Sequence, residues 1–141
     1  MDFSRGFNLD HPNYLIQWGS AKGIVEEELK ECQTTSPNNF KVRCFGGLDC
    51  HLWLGYSYNQ PPRLTIISLR NAHEELSSYE RQYSTLQRIF GPGEMSSPYT
   101  ERYPPELIEW RVHGATISLI DVPPKIGIGV FTKIVIEPTD V

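Results

Sequence analysis

LIEWRVHGATISLI, residues 107–120, contains two runs of alternating apolar and polar residues that meet at a histidine-glycine pair. Such alternation is typical of a strand with one buried face, and a two-residue junction between two such runs predicts a tight hairpin turn. If the strands pair around that turn, Trp110 lies opposite Ile117, and Ile108 lies opposite Leu119. This stretch therefore predicts an antiparallel hairpin with one apolar face.

A helix pattern precedes this hairpin and stops at a glycine. The apolar positions repeat at helical spacing and share one face: Tyr79, Tyr83, Leu86 and Phe90. Capping boxes begin at Asn71 and at Ser77, so the sequence allows two starting points for the helix. A glycine loop that binds phosphate follows a strand and opens a helix, whereas Gly91 and Pro92 follow a helix. These two residues therefore predict a helix stop.

The first half of the chain shows a similar order of elements. A short strand is predicted over residues 14–18, after a polar arm over residues 1–10. A helix is predicted over residues 20–32, because a serine N-cap is followed by apolar residues at i, i+4 and i+7. Alternating residues over 40–56 predict a second hairpin that turns at a pair of glycines, and a third strand is predicted over residues 64–69.

Each half therefore reads as a helix, a hairpin, a Pro-Pro pair and a long strand. The pattern predicts two αβββ-like units over residues 14–70 and 71–138, with the last strand over residues 126–136. The predicted fold class is α+β: the two units form a largely antiparallel sheet with helices packed on one face. A chain of 141 residues is expected to form a single domain, residues 1–141. Five residues of the second half are predicted to share the core: Leu86, Phe90, Trp110, Ile117 and Leu119.

Composition and charge narrow the classes of function. The net charge is −4 and the 13 Lys and Arg residues are scattered along the chain, which argues against a nucleic-acid binder. No apolar run is long enough to span a membrane, and the sequence begins with no signal-peptide pattern. Three cysteines do not make a full disulfide framework. These observations predict a cytoplasmic protein with reduced thiols.

Residues with the chemistry of metal ligands or catalysts occur in the chain, but no motif assembles them. Cys44, Cys50 and His51 lack the tight spacing of a zinc knuckle, and adjacent Cys50 and His51 point to opposite faces of a strand. The cysteines are interpreted as a packed pair across the hairpin, with a cross-strand disulfide or zinc as alternatives. None of the four histidines lies in a recognisable catalytic motif. We therefore predict no catalytic residue, no metal and no cofactor.

An outward-facing aromatic residue is the most informative candidate for binding. If Leu52 and Leu54 face the core, Trp53 faces outward, and aromatic residues are enriched at binding hot spots. A loop or a second copy of the chain, which would make a homodimer, is the alternative cover for this side chain. We predict a partner-binding surface made by aromatic and acidic residues: Trp53, Tyr56, Tyr58, Asp49 and Glu109.

The stretch YSTLQRIFGPGEMSSPYTERYPPELIEWRVHGATISLID, residues 83–121, resembles a layout found in small cytosolic bacterial proteins. In these proteins a helix ends in Phe-Gly-Pro or a similar sequence, a variable loop follows, and a strand with tryptophan begins a hairpin. Some of them look like immunity partners of secreted toxins. The resemblance, which covers residues 77–121, implies a protein partner such as a basic toxin enzyme, and it transfers no catalytic residue.

Two functions remain open at this point. The first is a non-catalytic protein-binding module, in the form of an immunity-type inhibitor whose acidic side chains would steer it toward a basic toxin enzyme. The second is a small hydrolase or transferase with a dispersed active site. A flat acidic or aromatic surface favours the binding module, whereas a deep pocket with converging polar groups favours the enzyme.

Overall fold

The computed structural model of the chain describes residues 1–36, 38–71, 78–96, 106–122 and 131–139. Within these ranges the helices are α1 (Ile24–Glu28) and α2 (Ser78–Phe90), and a 3-10 turn at Lys30–Cys32 follows α1. The strands in chain order are β1 (Gly6–Leu9), β2 (Tyr14–Gln17), β3 (Asn39–Cys44), β4 (Leu48–Tyr56), β5 (Leu64–Asn71), β6 (Glu94–Ser96), β7 (Glu106–Val112), β8 (Ala115–Val122) and β9 (Phe131–Pro138).

Seven of these strands form one sheet, in the order β3-β4-β5-β9-β8-β7-β6, while β1 pairs with β2 in a separate hairpin. Every neighbouring pair along the large sheet is antiparallel. The central pair, β5 with β9, joins the strands of the first half of the chain to those of the second half. The predicted α+β class with a largely antiparallel sheet is confirmed.

The hairpin predicted over residues 107–120 has the expected register. Trp110 lies opposite Ile117, and Ile108 lies opposite Leu119. The turn uses Gly114 at φ 89°, a left-handed conformation that L side chains rarely adopt. A Cβ at Gly114 would also lie 2.2 Å from the backbone nitrogen of Ser4, so this glycine lets the start of the chain pack against the turn.

One face of the large sheet is covered by α2 and by the β1–β2 hairpin, and it carries the core; we call it the covered face. Four of the five predicted core residues are buried: Leu86, Trp110, Ile117 and Leu119. Phe90 is half-buried, and its ring centroid lies 6.1 Å from that of Phe45. The Trp110 indole N–H donates to the Gly91 carbonyl at 2.8 Å, and this hydrogen bond joins the end of α2 to the covered face. The predicted helix face thus packs where the sequence places it.

The N-terminal segment is not the polar arm that its composition predicts. Phe3, Phe7 and Leu9 are buried, and β1 pairs with β2 over residues 6–17. The predicted strand near residue 14 is confirmed as β2, but its partner strand was missed. Polar residues between the buried ones dilute the composition of this segment, while Phe7 and Leu9 keep the two-residue period of a strand.

The first helix is shorter than predicted and begins later. Ser20 is not its N-cap, because its hydroxyl donates instead to a backbone carbonyl three residues earlier. Gly23, at φ 100°, precedes α1, and its N–H donates to the Glu26 carboxylate at 2.9 Å. Val25 and Leu29 are buried as the predicted helix face requires. The apolar spacing was therefore informative about burial, whereas the glycine sets the helix start.

The second helix and the segments around it bear on the remaining predictions of helix and strand limits. Asn71 is the last residue of β5, and the rest of the capping box that begins there, over residues 72–74, lies outside the described residues; α2 is described from Ser78, beside the second box. Gly91 has φ 81° and its N–H donates to the Gln87 carbonyl at 2.8 Å, which confirms the helix stop. Strand β6 follows directly where only a loop was expected. The last strand is observed as β9, and residues 126–130 of its predicted range lie outside the described residues.

Candidate functional site

The second face of the large sheet is formed by the residues that alternate with the core residues, and we call it the open face. Among the residues that the structure describes, α2 and the β1–β2 hairpin contribute their buried side chains to the covered face and not to this one. Strand register places two neighbouring rows of residues across the strands of the open face. The Trp53 row contains Asn39, Trp53, Ser68, Val135, Ser118 and Glu109, and the Lys41 row contains Lys41, His51, Arg70, Lys133, Ile120 and Leu107.

Trp53 is held in place by its neighbours on the open face. Its ring centroid lies 6.2 Å from that of His51, with 29° between the ring planes. The His51 ring is fixed in turn by a 3.0 Å hydrogen bond between Nδ1 and the Asn39 side-chain oxygen, an arrangement in which Nδ1–H donates. A half-buried aromatic side chain that is already ordered loses little rotamer entropy when a partner covers it.

Asp49 lies on the open face but contributes little net negative charge there. Its carboxylate accepts a hydrogen bond from Arg43 Nε at 3.0 Å, in an ion pair that is exposed on both sides. Glu109 lies at the far end of the Trp53 row, on β7, four strands away from Trp53 in the sheet order. The structure therefore places Asp49, Trp53 and Glu109 on one face, with the two acids toward its ends.

The other two predicted contact residues lie elsewhere. Tyr56 faces α1, where its hydroxyl donates to the Glu26 carboxylate. Burial and, next, this hydrogen bond raise the pKa of Tyr56 above its usual value. Tyr58 follows in the loop after β4 and is 103% exposed, so nothing described covers it. The five residues thus divide into an open-face group of three and a second group of two, Tyr56 beside α1 and Tyr58 in the loop after β4.

Acidic residues are closely spaced near α1, whereas those of the open face, Asp49, Glu109 and Glu137, lie apart from one another. Glu26, Glu27 and Glu28 lie on α1, and Glu31 lies in the turn that follows. Lys30 neutralises part of this charge through a 2.9 Å ion pair with Glu27. The net charge of −4 is therefore a property of the whole chain and does not describe the surface around Trp53.

A groove of about 580 Å³ runs beside β3 at the edge of the sheet. Its lining brings together the residue types of nucleophilic catalysis: His11, Cys32 and Asp49. However, Asp49 is engaged by Arg43, and no hydrogen bond between these three side chains occurs among the described residues. The groove has the size of a small-molecule site, but it shows no assembled nucleophile and base.

The cysteine pair of the β3–β4 hairpin packs inside the core. Cys44 and Cys50 are buried free thiols whose Sγ atoms lie 3.6 Å apart. The hydrogen bond with Cys50 and burial raise the pKa of Cys44 well above its usual value, which disfavours the reactive thiolate. His51 points to the opposite face, as predicted. In the described part of the chain, no three His, Cys, Asp or Glu side chains are grouped to hold a metal ion.

Sequence reasoning missed the Lys41 row. Its basic members are separated by up to 92 positions, from residue 41 to residue 133, and each appears isolated in the sequence. Only the pairing of β4 with β5 and of β5 with β9 brings them into line. The available signal was the outward position of each residue in its own strand, which indicates the face but not the register.

None of the described helices combines the length and apolar composition needed to cross a bilayer. No family model, no curated protein and no solved structure matches this chain.

Proposed function

We propose that the chain is a non-catalytic protein-binding module and that the open face is its contact surface. One observation carries this proposal: Trp53 is half-buried, ordered by His51, and displayed on a sheet face that the described helices leave uncovered. An aromatic anchor among near-neutral contacts is the typical composition of a binding hot spot. Val135, at the centre of the face, is only 7% exposed, so the surface around the anchor is already well packed.

An immunity-type inhibitor is the form of this function that the sequence resemblance implies. A basic toxin enzyme would be attracted to acidic side chains, and these lie around α1. The exposed side chain of Ile24 lies on the same helix. We therefore propose that the acidic α1 end steers the approach of a basic partner, while the open face makes the contact.

Two finer features of the sequence interpretation are also kept as proposals. The sheet order places the third strand of each half at the centre, which supports two αβββ-like units arranged about the β5–β9 pair. Three free cysteines, Cys32, Cys44 and Cys50, suit the reducing environment of a cytoplasm.

A small hydrolase or transferase is the second candidate function, and the groove beside β3 is the observation that favours it. Cys32 is half-buried there and shares the groove with His11 and Lys41. Cys32→Ala separates the two functions. It removes a nucleophile from an enzyme, whereas it leaves protein binding through the open face unchanged.

The proposed function is tested by comparing two aromatic residues, one from each group. A partner is isolated from cells of the source organism with the immobilised wild-type chain, purified, and its dissociation constant is measured for wild type, Trp53→Ala and Tyr58→Ala. We expect Trp53→Ala to weaken binding at least about tenfold, the effect of removing a hot-spot residue, and Tyr58→Ala to weaken it less than about threefold. If wild type binds no protein and instead turns over a small substrate in a manner abolished by Cys32→Ala, the binding proposal is wrong.

A further inference from the structure

The Lys41 row changes its chemistry halfway across the sheet. Lys41, His51, Arg70 and Lys133 are successive cross-strand neighbours on β3, β4, β5 and β9. The row then continues on β8 and β7 with the half-buried side chains of Ile120 and Leu107. One end of the row is therefore basic and the other end is apolar.

Within the described ranges neither Lys41 nor Lys133 forms an ion pair, although the open face also carries Glu137, four residues from Lys133 along β9. Cations that lie directly opposite one another across strands destabilise a sheet. Asp49 is held by Arg43, and Glu109 lies at the far side of the sheet, in the other row. Arg70 makes an interaction of its own within the chain, so the inference rests on Lys41 and Lys133.

From this pattern we propose that the open face binds an extended segment of a partner protein in which carboxylate side chains are followed by apolar side chains. The carboxylates lie over Lys41 and Lys133, and the apolar side chains lie over Ile120 and Leu107. This inference rests on the proposed function, because it specifies the one segment of the protein partner that meets the open face, whereas the acidic residues around α1 would face a basic part of that partner.

The dimensions of the row set the length of that segment. From β3 to β7 the sheet order has five inter-strand spacings, which amount to about 24 Å at about 4.8 Å each. An extended chain covers that distance with about seven residues. On each strand, the residue of the Trp53 row lies two positions from the residue of the Lys41 row, which is about 7 Å. Trp53 and the hydroxyl groups of Ser68 and Ser118 therefore flank the same segment.

A protein segment fits this row better than a single-stranded nucleic acid. A phosphate backbone carries charge at every nucleotide, so a strand that crosses the sheet would place phosphates against Ile120 and Leu107. A polypeptide can instead present carboxylates at one end and apolar side chains at the other. Because sites for single-stranded nucleic acid pair cations along the backbone with aromatic rings that stack the bases, the aliphatic end of the row, which offers no ring, favours the protein segment.

The test uses synthetic octapeptides, each with the same fluorescent label, and measures their dissociation constants by fluorescence anisotropy. One peptide has four Glu followed by Leu-Val-Ile-Leu, and a second has the same blocks in reverse order, because the direction of the bound chain is open. The controls are a scrambled peptide, a peptide with Lys in place of Glu, and labelled octathymidylate. We expect one of the two blocked acidic peptides to bind at least about tenfold more tightly than every control, and its affinity to fall with added salt.

Charge reversal in the protein locates the binding site. Lys41→Glu with Lys133→Glu should weaken binding of the preferred peptide at least about tenfold. The matched control, Lys22→Glu with Arg88→Glu, makes the same change of charge at exposed positions away from the open face and should change the affinity less than about threefold. Circular dichroism and thermal unfolding establish that both double variants are folded.

Three outcomes would overturn the inference. Equal binding of the acidic and lysine peptides would show that charge does not select the segment, and equal loss in both double variants would show that the row is not the site. Tighter binding of octathymidylate, lost on reversal of Lys41 and Lys133, would assign the row to nucleic acid. The proposed function is judged separately, by the effect of Trp53→Ala on the natural partner, so either idea can fail while the other stands.

Discussion

The two faces of the large sheet are built from the same strands and differ in what covers them. On β4, Leu52 faces α2 and the N-terminal hairpin and is 0% exposed, while its neighbour Trp53 lies half-buried on the open face. The covered face repeats Leu, Ile and Val, whereas the open face mixes cations, hydroxyl groups and one tryptophan. Burial on one face therefore stabilises the fold, while the alternate residues stay free of the packing requirements of the core.

The largest expected effect comes from truncating the covered face. Leu52→Ala should lower the free energy of unfolding by about 2–5 kcal/mol, the range for truncating a buried leucine. Urea denaturation followed by circular dichroism measures this loss. A loss below about 1 kcal/mol would mean that Leu52 is not enclosed, and the distinction between the two faces would fail.

A buried polar residue offers a way to improve the covered side. Gln82 on α2 is 0% exposed, and neither atom of its amide has a hydrogen-bond partner among the described residues. Gln82→Met keeps a similar shape without the unpaired amide, so we expect the free energy of unfolding to rise by about 1–2 kcal/mol. Gln87→Met, at an exposed position of the same helix, is the control and should change it by less than about 0.5 kcal/mol. Destabilisation by Gln82→Met would contradict the unpaired state of this amide.

Trp53→Ala sharpens the contrast with Leu52. Although tryptophan is the larger side chain, we expect the free energy of unfolding to fall by no more than about 2 kcal/mol, because the open face leaves part of the ring in contact with water. The same urea titration measures both variants. A loss above about 3 kcal/mol would show that Trp53 belongs to a core, and the open face would then be a covered one.

The smallest effect concerns the Lys41 row. Lys133→Glu places a carboxylate opposite Arg70 and should raise the free energy of unfolding by about 0.2–1 kcal/mol at low ionic strength. The gain should shrink in 1 M NaCl, because salt screens exposed charges. Lys133→Gln is the control and should give a smaller gain that depends less on salt. If Lys133→Glu is destabilising at low salt, the interaction that Arg70 makes within the chain already compensates its charge, and Lys133 adds no repulsion to the row.

The parts of the fold that the sequence predicts are those controlled by short-range patterns. The 107–120 hairpin follows from alternation and a turn of two residues, and the helix stop follows from Gly91. The first helix was misjudged because Gly23, inside the predicted range, starts it late. Strand β1 was missed because its apolar residues are few and stand among polar ones.

The candidate site was harder to predict because it depends on register between distant strands. Leu52 and Leu54 are buried, so Trp53 between them faces outward, and Glu109 faces outward because its neighbour Trp110 is buried. Tyr56 was grouped with Trp53 although its position, two residues after Leu54, already indicates the other face. The Lys41 row required the β5–β9 pairing, which joins segments more than 60 residues apart and which no local pattern specifies.

The position of β9 has a consequence for how the chain reaches its native state during synthesis. This strand is the latest of the described strands along the chain, yet it lies in the middle of the sheet, between β5 and β8. Until residues 131–138 have left the ribosome, both β5 and β8 keep an edge of unpaired backbone groups that can pair with other chains. Pairing between strands that are far apart in the sequence is also slow to form. Nascent chains halted before residue 131 should therefore be those most in need of a chaperone.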